Sequence, residues 1–201
     1  VWVLKSKLLS AGAFPLIQSS TVGGWECERH SQPWQVVVYH YDKWELTAAH
    51  CIPGRMGSGD LMLLQLREPT NTTEAVRVTE EPTEEAKLGS CCLASGWGST
   101  RPDKSLSAKM LQCVDLTLMS SDVCTDSYSQ RVTESMLCAG HQEGGRDTCM
   151  GDSGTTLICD RMLQGITSRG SNPCAYPKKP SIFTKVSKHM NWIKANLQIT
   201  P

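Results

Sequence analysis

Ten cysteines in 201 residues constrain this chain more than any other feature. They lie mostly in short β-like runs, and they do not form the paired C-x-x-C sets that hold zinc. That distribution points to disulfides, which persist in oxidising, extracellular compartments. Spacing alone leaves their pairing open.

The length fits one large all-β unit or two small domains packed together. Twenty basic residues balance twenty acidic ones, so no net field draws the chain to nucleic acid or an anionic membrane. No apolar run is long enough to cross a bilayer. Residues 1–13, VWVLKSKLLSAGA, read as a degenerate secretory signal or as a polar tail. Ala11-Gly12-Ala13 supplies a small-x-small cleavage pattern, while Lys5 and Lys7 interrupt the apolar core. Asn71 heads an NTT sequon, a glycosylation acceptor that matters in a secreted chain.

Short β-rich runs punctuated by Gly, Pro, Asn and Asp dominate: PWQVVVYHY, LMLLQL, AVRV, CCLASGW, LQCVDLTLM, TTLICDRMLQGIT and SIFTKV. This is the pattern of a barrel or sandwich. One helix is predicted near the end, where Val186, Met190, Ile193 and Leu197 form a single apolar stripe for packing. EEPTEEA, residues 80 to 86, reads as a solvated acidic linker.

Three fragments carry chemistry together. LTAAHC places His50 at the end of a β-like run, GDLMLLQL places Asp60 at the head of another, and GDSG carries Ser153. A serine hydroxyl is inert until a base takes its proton and donors await the resulting charge. A histidine oriented by an aspartate is such a base. In the order His, Asp, Ser these fragments resemble the trypsin-like serine proteases. VGGWECERHSQPWQV, ASGWGS, LQCVDL, MLCAG, QGITS and KVSKHMNWIK are similar to tissue kallikreins, the prostate-type branch in particular. The likeness covers nearly everything after residue 14.

The resemblance implies an all-β, chymotrypsin-like double β-barrel with a C-terminal helix, a peptidase domain over 21–201 and a short propeptide-like segment over 14–20. His50 would take the Ser153 proton, Asp60 would hold the imidazole, and the N–H groups of Gly151 and Ser153 would form the oxyanion hole. Asp147 would sit at the base of the primary pocket and attract Arg or Lys, with Gly170 and Ser181 as small walls. The Ser168 backbone would pair with the bound peptide. A cut between Ser20 and Thr21 would free an amine for Asp152. The implied disulfides are Cys27–Cys113, Cys92–Cys159, Cys124–Cys138 and Cys149–Cys174, leaving Cys51 and Cys91 as free or mispaired thiols. No metal or organic cofactor is implied. The implied partners are protein or peptide substrates and serpin or Kunitz-type inhibitors, for a secreted monomer.

Five departures stand against that pattern. The strand carrying the cysteine partner of Cys51 is replaced by YHYDK. Only nine residues separate His50 from Asp60, which leaves the N-terminal barrel incomplete around 39–60 as an open sheet. Thr155 and Thr156 follow GDSG, where a β-branched residue can crowd the turn. Arg169 stands where the family has tryptophan. The junction IQSSTVGG lacks a base before the cut and isoleucine after it. Two functions follow from the sequence: a secreted endopeptidase cleaving after Arg or Lys, or a catalytically silent pseudoprotease, the product of exon skipping or a pseudogene, with at most a binding role.

Overall fold

Six antiparallel strands close on themselves in the C-terminal half. The computed structural model describes residues 21–35, 37–39, 44–52, 59–66, 68–128 and 132–197. The signal-like segment 1–13 and the propeptide-like segment 14–20 lie outside the described residues. The N-terminal half supplies β1 (Trp25–Glu26), β2 (Val37–Tyr39), β3 (Trp44–Ala48), a 3-10 turn (Ala49–Cys51) and β4 (Leu61–Gln65). Next come β5 (Cys91–Gly96), β6 (Ser99–Arg101), β7 (Lys104–Ser107), β8 (Gln112–Met119), α1 (Ser121–Tyr128) and β9 (Met136–Gly140). The chain continues through β10 (Thr156–Cys159), β11 (Met162–Arg169), β12 (Ser181–Lys185), a 3-10 turn (Val186–His189) and α2 (Met190–Leu197).

The barrel runs β8-β5-β10-β11-β12-β9 and is closed by the β8–β9 pairing. Ala94, Val114, Leu116, Leu157 and Phe183 fill it. The β10–β11 hairpin turns on Asp160 and Arg161, both left-handed at φ 51° and 67°, as a two-residue turn matched to strand twist requires. β1 attaches to the outside of β8 and is pinned there by Cys27–Cys113. The expected pairings Cys92–Cys159, Cys124–Cys138 and Cys149–Cys174 are also formed, and Cys51 and Cys91 are free and exposed.

Among the described residues the N-terminal half contributes one three-stranded sheet, β2-β3-β4, in place of a closed barrel. Its inner face does not stay open to water. Leu46 and Ala48 of β3 are fully buried against Ile158, Leu163 and Ile166 of the barrel and against Val186, Ile193 and Leu197. The predicted apolar stripe is thus the seam between the C-terminal helix and both sheets, with Met190 packed against its edge.

Three sequence expectations are corrected here. AVRV is no strand: among the described residues it carries only isolated bridges, one joining Val76 to Thr73 and one at Val78. Helix α1 was not predicted, since it buries only Cys124 and shows no apolar stripe; Cys124–Cys138 and the Tyr128 hydroxyl, donating to the Pro180 carbonyl at 2.8 Å, hold it in place. The acidic linker is a strap fastened to the barrel. The Glu80 carbonyl accepts from Leu163 N and the Glu84 carbonyl from Gln164 Nε2. Glu81 pairs with Lys194, and Glu85 pairs with Lys185 and Lys188.

The energetic ranking is direct. Leu46→Ala should cost about 2–5 kcal/mol, because it opens a cavity between sheet and barrel. Glu81→Gln, which removes an exposed ion pair, should cost under about 1 kcal/mol. Urea unfolding of both variants checks this, and equal losses would mean that the small sheet is not packed on the barrel.

Candidate active site

The hairpin of β3 and β4 brings two of the three candidate residues together. Ala48 pairs with Leu61, and Ala49 N donates to the Asp60 carbonyl at 3.2 Å, so His50 and Asp60 leave the same end of one ladder. A nine-residue connection is therefore enough. Asp60 adopts a left-handed φ of 50°, a conformation that aspartate tolerates better than most residues. Its carboxylate accepts from His50 Nδ1 at 2.7 Å (Oδ2) and from the His50 backbone N–H at 3.0 Å (Oδ1). The Ser168 hydroxyl, at the end of β11, donates to Oδ2 at 2.6 Å. A carboxylate satisfied from three directions fixes both the ring and its tautomer. Sequence reasoning gave Ser168 only a backbone role and missed this side-chain bond to the other sheet; no local pattern in the sequence reports it.

Ser153 is exposed on the loop before β10. The loop is held against β3 at Gly154, whose φ is +82°. A Cβ there would stand 2.3 Å from Thr47 Oγ1 and 3.2 Å from Ala48 N, so only glycine allows the approach. The free thiol of Cys51 donates to the Ser153 carbonyl at 3.5 Å. Among the described residues the Ser153 hydroxyl makes no hydrogen bond to His50. Gly151 has φ +98°, and neither its N–H nor that of Ser153 donates to another described backbone group.

The two threonines that follow GDSG do not crowd this turn. Thr155 Oγ1 donates to the Asp152 carbonyl at 2.6 Å and meets Thr167 Oγ1 at 3.0 Å, bracing the loop against β11. Thr156 is buried on β10, and its hydroxyl has no partner.

Asp152 is fully buried beneath the loop. It accepts from Gly98 N at 2.8 Å and from Cys149 N at 2.9 Å. Burial raises its pKa to about 6 against the pull of those two N–H groups. Thr21 is 1% exposed, and its hydroxyl is buried without a partner. The segment after it docks beside Asp147, whose N–H donates to the Val22 carbonyl at 3.1 Å. Ser20 lies outside the described residues.

Asp147 is 1% exposed. Ser181 Oγ donates to it at 2.6 Å and Ala175 N at 3.1 Å. Gly170 faces it, and a Cβ on Gly170 would lie 2.7 Å from Ser181 Oγ and 3.9 Å from Asp147 Oδ2. Burial raises the Asp147 pKa to about 7, against the hydrogen bonds from Ser181, Ala175 and Thr148. Cys149–Cys174 closes the loop that carries Ala175 back to this carboxyl. Asn71 is exposed.

Two buried carboxyls with raised pKa values make stability depend on pH. Each binds its proton more tightly in the folded chain than in the unfolded one, where aspartate titrates near about 4. Stability of the uncut, substrate-free chain should therefore fall as pH rises from about 4 through the folded values near 6 and 7. Urea midpoints across that range should decline for the wild type and flatten for Asp147→Asn combined with Asp152→Asn. A wild-type midpoint that rises with pH over the same window would contradict this.

Known proteins are similar to this chain in sequence and fold. The Trypsin family profile matches residues 53–193. Human Kallikrein-2 is 44% identical over 246 aligned positions, covering 94% of each chain. Since this chain has 201 residues, at least 45 of those positions (246 minus 201) have no counterpart in it. Rat Tonin is 40% identical over the full length of both chains. The solved structure of neuropsin, a serine protease expressed in the limbic system of mouse brain, superposes with a TM-score of 0.78 at 34% identity, over 87% of this chain and 99% of that one. The fold, the cross-links and these likenesses agree: the chain belongs to the trypsin family of serine endopeptidases and is of the kallikrein type.

Proposed function

We propose that this chain hydrolyses peptide bonds after Arg or Lys, outside the cell, with Ser153 as nucleophile. The buried Asp147 carboxylate facing Gly170 is the observation that carries the specificity. A neutral side chain beside it leaves its buried charge without a counter-ion, whereas a guanidinium or ammonium supplies one.

In this reading His50 takes the Ser153 proton through Nε2 as the hydroxyl attacks the scissile carbonyl. Asp60 stays ionised and stabilises the imidazolium, and His50 then hands the proton to the leaving amine. The N–H groups of Gly151 and Ser153 receive the oxyanion, each worth on the order of 10²–10³ in turnover. The Ser168 backbone pairs with the bound peptide while its hydroxyl holds Asp60. Asp152 receives the amine freed by a cut between Ser20 and Thr21. A cation there would hold the carboxyl ionised in place of its present two-N–H shell. The chain acts as a monomer, with serpin or Kunitz-type proteins as its inhibitors. Four disulfides support an oxidising, extracellular setting.

The test uses peptide amides with Arg, Lys or Leu before the cleaved bond. The chain as it stands is assayed beside Ser20→Arg plus Thr21→Ile, each treated with trypsin to cut the junction. Arg and Lys amides should be turned over at least about 100-fold faster than the Leu amide, and Asp147→Ser should erase that ratio. A Leu amide cleaved as fast as the Arg amide would remove Asp147 from its role.

A further inference from the structure

Among the described residues, the cleft beside His50 holds a cation that forms no ion pair. It encloses about 410 Å³, and its walls include His50, Asp60, Met136, Ser168 and Arg169. Arg169 is exposed, and its Nη2 touches only Met136 Sδ, at 3.7 Å. Among the described residues it forms no ion pair. The nearby Asp60 carboxylate is already occupied by His50 and Ser168. A guanidinium carries five donors in a fixed fork suited to a carboxylate, and a thioether sulfur satisfies little of that capacity.

The position of Arg169 in the chain says what would meet it. Ser168, Arg169 and Gly170 are consecutive: Ser168 is bonded to Asp60, and Gly170 opens onto Asp147. In the reading given above, a peptide whose base passes Gly170 to reach Asp147, with its next carbonyl at Ser153, would bring its preceding residues beside Arg169. At roughly 3.3 Å per extended residue, three of them lie within reach of the side chain. A carboxylate there would gain a charge-assisted pair, and a second base would be repelled.

We propose that Arg169 is a specificity-determining residue that selects substrates carrying Asp or Glu within the three residues preceding the base held by Asp147. This rests on the reading of Asp147 and Ser153 given above. The cleft thus favours acidic-then-basic sequences and disfavours runs of bases.

The test compares peptide amides that end in Arg and carry Glu, Gln or Lys at each of the three preceding positions. For wild type at low salt, kcat/KM should favour Glu over Gln by about three- to tenfold in at least one position, with Lys poorest. The ratio should shrink as salt is raised, fall to near one in Arg169→Gln, and persist in part in Arg169→Lys. A wild-type ratio near one at all three positions, or an unchanged ratio in Arg169→Gln, would overturn the proposal. Binding of the same peptides, fluorescently labelled, to Ser153→Ala separates the two readings. If neither wild type nor the trypsin-cut Ser20→Arg plus Thr21→Ile chain cleaves any amide, the hydrolytic reading fails, and the Glu-to-Gln ratio of dissociation constants, with and without Arg169→Gln, still decides the role of Arg169.

Discussion

The Asp60 carboxylate ties the two halves of this protein into one site. It receives two bonds from His50, on the small N-terminal sheet, and one from Ser168, on the barrel. What places it there is the register of a single hairpin, Ala48 against Leu61. Only nine residues separate His50 from Asp60, and the direct β3–β4 pairing sets their geometry. The N-terminal sheet has three described strands and depends on Leu46 and Ala48 being covered by the barrel and α2.

The same seam positions the nucleophile. Gly154 lies against Thr47 and Ala48, so the strand that delivers His50 also supports the loop that presents Ser153. On the barrel side the loop is braced by Thr155 against Thr167 and, beneath, by Asp152 against Gly98 and Cys149. Thr155 shows how a departure from a family pattern is absorbed. Its methyl group fits, and its hydroxyl finds two partners, where a buried and unpaired hydroxyl would cost about 1–3 kcal/mol. Thr156 and Thr21 do carry such unpaired hydroxyls.

Much of this was legible in the sequence because the informative residues are chemically scarce. Eight of the ten cysteines, matched to family positions, imply four pairings that the structure forms, and the stripe from Val186 to Leu197 implies the seam helix. The His50–Asp60 contact could be judged reachable from chain length, but the hairpin that makes it could not, because pairing register is a tertiary choice. Helix α1 escaped because a disulfide holds it where no apolar face does. The strap over 80–86 escaped because acidic composition reports solvation, whereas its carbonyl bonds and its ion pairs to Lys185, Lys188 and Lys194 are tertiary contacts.

The rate at which a fluorophosphonate labels Ser153 tests the central claim most directly, because it needs an oriented base and an ordered nucleophile loop but no particular substrate. If the shortened hairpin holds Asp60 as the orienting group for His50, Asp60→Asn should slow labelling on the order of 10³–10⁴-fold while leaving the fold intact. Equal labelling rates for wild type and Asp60→Asn would show that the His50–Asp60 pair does not govern Ser153, and would contradict the account.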